Sequence, residues 1–124
     1  MPASIAVGDL LLVCLDKGST SATVNALTGW TELLDEASAN GLYIAWRIAD
    51  GTEGASITLT TSASTRDATI ALRISGASTD APTIGTTATG TDLAPNPPSI
   101  TPPAYGDYLF VSFFGAATRY ASRT

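Results

Sequence analysis

Six apolar residues in unbroken succession, Leu10-Leu11-Leu12-Val13-Cys14-Leu15, set the strongest constraint on this chain. Successive side chains of a strand point to opposite faces, so an apolar run without polar interruption needs both faces dry. Gly8-Asp9 precedes the run and Asp16-Lys17 follows it. The reading is a central strand. The run is far short of the roughly 20 apolar residues that span a bilayer, so no membrane partner is expected.

The neighbours of such a strand are legible in turn. Short β-rich runs bounded by turn residues predict five strands, at 9–16, 30–35, 41–49, 55–61 and 68–75. The third ends at the Asp50-Gly51 turn signal. The fourth places Ile57 and Leu59 opposite Ser56, Thr58 and Thr60, and the fifth places Ile70, Leu72 and Ile74 opposite Thr69, Ala71 and Arg73. Alternation of this kind describes a sheet with one wet face, hence antiparallel pairing. Helix signals are nearly absent, and eleven Gly and seven Pro favour turns. At 124 residues the chain suits one domain. The expectation is all-β: a single antiparallel β-sandwich over 1–124, jelly-roll or Ig-like, with an irregular Thr/Gly/Pro-rich segment at 77–104. Its expected core is Leu10, Leu12, Val13, Ile44, Trp46, Ile57, Leu59, Ile70, Leu72, Leu109 and Val111.

Within 77–104, Pro97-Pro98 and Pro102-Pro103 bracket Ser99-Ile100-Thr101, which restricts that stretch to an edge strand or a polyproline excursion. The opening pattern then returns. Val7-Gly8-Asp9-Leu10-Leu11-Leu12-Val13-Cys14-Leu15 matches Tyr105-Gly106-Asp107-Tyr108-Leu109-Phe110-Val111-Ser112-Phe113 in nearly every chemical class. Gly-Asp suits a tight launching turn, because Gly tolerates positive φ and Asp can bond the following backbone. A sixth strand is thus expected at 107–114, with no partner strand written after it. Either another chain supplies the partner, or the sequence is the front part of a longer domain.

Chemistry is bounded by what the chain lacks. It has no His, which excludes a Ser-His-Asp triad, His-ligated zinc and a His base. Cys14 is the single cysteine, so no internal disulfide or thiolate pair exists. No phosphate loop or dinucleotide fingerprint appears. Asp35 with Glu36, and Asp50 with Glu53, are the carboxylate pairs that glycoside hydrolysis would need, but turn acids explain them more simply. A calcium ladder of alternating Asp and Asn is missing. The expectation is no catalytic, cofactor-binding or metal site, and no cofactor. The net charge is −5 and the six cations (Lys17, Arg47, Arg66, Arg73, Arg119, Arg123) are scattered, so nucleic acid is not an expected partner. Trp30 and Trp46 read as core residues before they read as a sugar platform. Met-Pro-Ala-Ser offers no basic leader, so no signal peptide is expected.

In order, Val7-Gly8-Asp9-Leu10-Leu11-Leu12, Gly29-Trp30-Thr31-Glu32-Leu33 and Tyr43-Ile44-Ala45-Trp46-Arg47-Ile48-Ala49-Asp50-Gly51-Thr52-Glu53 are followed by Ile57-Thr58-Leu59-Thr60 and Ala68-Thr69-Ile70-Ala71-Leu72-Arg73-Ile74-Ser75-Gly76. With the second Gly106-Asp107-Tyr108-Leu109, this series resembles a β-sandwich domain of tailed-bacteriophage structural proteins. In that family the chain usually runs on past the second Gly-Asp strand, so ending at Thr124 is a departure. The resemblance implies a virion protein made in the host cytoplasm: a head decoration (cement) subunit, or a tail or fibre component. Its partners would be other virion subunits, capsid or tail proteins, with a homo-oligomer, a trimer as first choice, as the working form. A carbohydrate-binding adhesin for host glycan is the alternative, and an enzyme ranks third.

Overall fold

A computed structural model describes residues 1–18, 22–37, 41–63, 67–90, 96–102 and 106–115. Arg66, Arg119, Arg123, Pro103 and Tyr105, all weighed above, lie outside the described residues. The described residues are all-β, with four strands among them: β1 (Leu10–Lys17), β2 (Thr31–Asp35), β3 (Leu42–Ile48) and β4 (Asp67–Ile74). They form one antiparallel sheet in the order β2-β3-β1-β4. The apolar run is a central strand: β1 pairs with β3 from Leu10↔Ile48 to Asp16↔Leu42, and with β4 from Leu10↔Ile74 to Lys17↔Asp67. All six residues of the run are buried.

Register divides the side chains between the two faces, because directly paired residues of antiparallel strands point the same way. Leu11, Val13, Leu15 and Lys17 share a face with Tyr43, Ala45 and Arg47. On this face Val13, Leu15, Tyr43 and Ala45 join Val24 in the core, with Leu27, Trp30, Ile57 and Leu59 packed over them. Leu10, Leu12 and Cys14 share the opposite face with Ile44, Trp46, Ile70, Leu72 and Ile74.

Four of the five early strands appear within a residue of their expected limits. The 55–61 segment forms no ladder strand. It holds one isolated bridge, Val24↔Thr61, flanked by Asn25 N–H to Thr60 O and Ser62 N–H to Thr23 O, each 2.9 Å. Its alternation is nonetheless real: Ile57 and Leu59 turn inward while Ser56, Thr58 and Thr60 are exposed. The segment lies over the sheet face, and one dry side is needed there just as in a ladder.

The second correction is larger. Residues 106–115 contain no strand, and Tyr108, Leu109, Phe110, Val111 and Phe114 are exposed. Leu109 and Val111 therefore leave the expected core, and so does Ile70, half exposed on the outermost strand β4. Trp46 and Leu72 are half-buried. The fully buried large side chains instead include Leu11, Leu15 and Tyr43. An apolar pattern records the capacity to be buried; a partner surface decides whether burial happens.

The launching turn behaves differently from the expected local cap. Gly8 takes φ +91°, and Asp9 N–H bonds to Ala6 O at 3.1 Å. The Asp9 carboxylate reaches backward to Ala6 N–H and across to Arg73, rather than to the backbone ahead.

Candidate functional site

Three of the four carboxylates that suggested acid/base chemistry, Asp35, Asp50 and Glu53, are taken up by structure. Arg47 projects from β3 and binds Glu53 through Nη2 at 2.8 Å and Asp50 at 2.9 Å. Glu53 also accepts the backbone N–H groups of Asp50 and Gly51, at 2.9 and 3.0 Å. Asp50 accepts Thr52 Oγ1 at 2.6 Å and Thr52 N–H at 2.9 Å. The loop is thus wrapped around one guanidinium. The Thr52 bonds, with help from Arg47, hold the Asp50 carboxyl below the usual carboxylate range against the opposing effect of desolvation. The pair is organised as a turn clasp.

Asp35 is engaged elsewhere. Its Oδ1 contacts the Lys17 ammonium, and its Oδ2 accepts Val24 N–H at 3.1 Å. Lys17 is fully buried. Sequence reasoning counted Lys17 only among the scattered cations. The available signal was its place at the end of the apolar run, where the strand carries it into the core. Arg73, likewise counted as scattered, is bound to Asp9.

Beside the Arg47 clasp lies a cavity of about 210 Å³, lined in part by Leu27, Trp30, Arg47, Glu53 and Ile57. Its charged lining is engaged internally, Glu53 accepting from Arg47 and from the Asp50 and Gly51 N–H groups. Arg47 Nε and Trp46 Nε1 are buried without a hydrogen-bond partner among the described residues. Trp46 faces the other side of the sheet, so the two tryptophans do not form one platform.

Cys14 is buried on β1. Burial, with a smaller contribution from the Asp16 charge, pushes its thiol up to about 12. A thiol so resistant to ionisation is a poor nucleophile at neutral pH. Among the described residues no group of three metal-ligating side chains converges, and no helix is long and apolar enough to cross a membrane.

The largest unabsorbed feature is apolar surface. Leu109 and Phe114 expose 68% and 71% of their area, and Phe110 and Val111 are also exposed. The rings of Tyr108 and Phe110 sit side by side, centroids 6.4 Å apart and planes tilted by 40°. Compared with known proteins, the chain matches no family model, no curated protein and no solved structure.

Proposed function

We propose that this protein is a structural subunit of a tailed-phage virion, a head decoration (cement) protein before a tail or fibre component, acting through contacts with copies of itself and with capsid or tail proteins. The observation that carries the reading is the exposed apolar stretch at 106–115. Contiguous apolar surface on a soluble domain marks an interaction site, and an assembly is what would cover it. On a symmetric particle, modest contacts gain strength by repetition. The resemblance of the motif series to phage structural domains supports the same reading. We assign the chain no catalytic residue and no cofactor.

The finer architecture belongs to this proposal too. Segments 22–30 and 55–61, joined by the Val24↔Thr61 bridge and packed on the Leu15 face, are taken as the start of the second layer of a sandwich. Sedimentation of the purified chain tests the assembly. A homo-oligomer, a trimer first, is expected, shifting to monomer in a Leu109→Asp/Phe110→Asp variant. A wild-type monomer at micromolar concentration overturns the reading.

The paired rings of Tyr108 and Phe110 favour a second reading, an adhesin that stacks host glycan on aromatic faces. It predicts glycan-array binding that Tyr108→Ala removes without changing the sedimentation coefficient.

A further inference from the structure

Lys17 ends β1 with its side chain fully buried, and its ammonium contacts the Oδ1 of Asp35 at the end of β2. These strands are not neighbours, since β3 lies between them. Leu15 and Val24 beside the pair are in the core, and Tyr43, 1% exposed, pairs in register with both Leu15 and Asp35, its phenol close enough to feel the Asp35 and Glu32 charges. The second carboxylate oxygen accepts Val24 N–H at 3.1 Å. A buried ion pair carries a heavy desolvation cost, and replacing it with a neutral arrangement often stabilises a fold. Here the two charged groups are already in contact.

We infer that Lys17 and Asp35 condense into an intramolecular isopeptide bond. A proton passes from the Lys17 ammonium to Asp35 Oδ1, leaving a neutral amine and a neutral acid. The Nζ lone pair attacks Cγ, and negative charge develops on Oδ2, where Val24 N–H already donates. The Cγ–Oδ1 bond then breaks, and Oδ1 departs as water with a second proton from the nitrogen. One ammonium and one carboxylate become one amide and one water, with no oxidant, reductant or cofactor. Well-oriented intramolecular reactions reach effective molarities of about 10⁵–10⁸ M, so holding the two groups together lowers the barrier to a condensation that is slow between free groups in water. The Val24 N–H plays the part of an oxyanion donor. The product ties β1 to β2 across β3 and closes a covalent loop over 17–35. This inference stands independently of the proposed virion role.

Intact mass of the folded full chain, sprayed under denaturing conditions, is the test. The expected mass lies one water, about 18 Da, below that of the sequence, and a digest yields one branched peptide joining Lys17 to Asp35. Lys17→Arg and Asp35→Ala chains are expected at full mass. The wild-type measurement decides by itself, whether or not either variant folds. An unshifted mass in protein with a cooperative urea transition overturns the inference. So does a water loss that fragmentation places at Asp50-Gly51, where an Asp-Gly imide would form instead.

Discussion

Arg73 Nε donates to Asp9 Oδ2 at 2.6 Å, and the same oxygen accepts Ala6 N–H at 2.8 Å. One carboxylate oxygen therefore fixes the turn that launches β1 and ties it to β4. The Ala6 N–H, and then Arg73, hold the Asp9 carboxyl below its ordinary 3.8 despite desolvation. Since the folded state binds this proton less readily than the unfolded chain, the interaction contributes fully above pH 3.8 and fades as pH falls through the lower folded value. Asp50 shifts in the same direction. Urea midpoints measured from pH 7 to pH 3 should fall in acid for the wild type. Asp9→Asn should start lower and fall less. Parallel curves would remove Asp9 from the acid response.

Core substitutions should separate the central strand from the edge. Leu11 is completely buried and flanked by both β3 and β4, so Leu11→Ala should cost about 2–5 kcal/mol. Ile70 is half exposed on β4, and Ile70→Ala should cost under about 1 kcal/mol. Denaturant unfolding of both variants gives the comparison. Equal costs would mean that β4 is covered in solution.

Gly51 sits at φ +88°, and a Cβ there would come within 3.2 Å of Val7 Cγ2. Val7 is exposed and can move aside, so the backbone term decides. Gly51→Ala should cost about 1–2 kcal/mol from the left-handed conformation alone. Adding Val7→Ala should recover little of it. A full recovery in thermal unfolding would assign the cost to the side-chain contact.

Cys14 supplies a probe of opening. With its thiol pushed up to about 12 and buried between β3 and β4, it should resist a thiol reagent in native buffer and react completely in urea. Rapid native labelling would show that β1 opens locally.

The sequence made the central strand legible because six apolar residues in a row leave few alternatives. β2, β3 and β4 followed from turn residues and β-rich composition. The 55–61 segment was legible as amphipathic but not as non-ladder, because alternation reports which side is dry and not what lies beside the backbone. The 107–114 stretch has the chemistry of β1 without its location, since pairing depends on surfaces distant in sequence. Lys17 and Asp35 were visible only as a lone cation and a turn acid. Their contact depends on register across three strands, which single-residue reasoning does not reach. Arg47 with Glu53 was similarly hidden, although its loop was marked by Asp50-Gly51.

The sheet order also governs when the fold can begin. β1 is made before both of its partners, which are the third and fourth strands among the described residues. Leu10 meets Ile48 on one side and Ile74 on the other, so the most apolar segment of the chain must wait for β3 and then for β4 before both flanks are paired. Non-local pairing of this kind makes folding slow and leaves early chains prone to associate. Translation rate and chaperone capture, more than native stability, are therefore expected to control the yield of soluble protein.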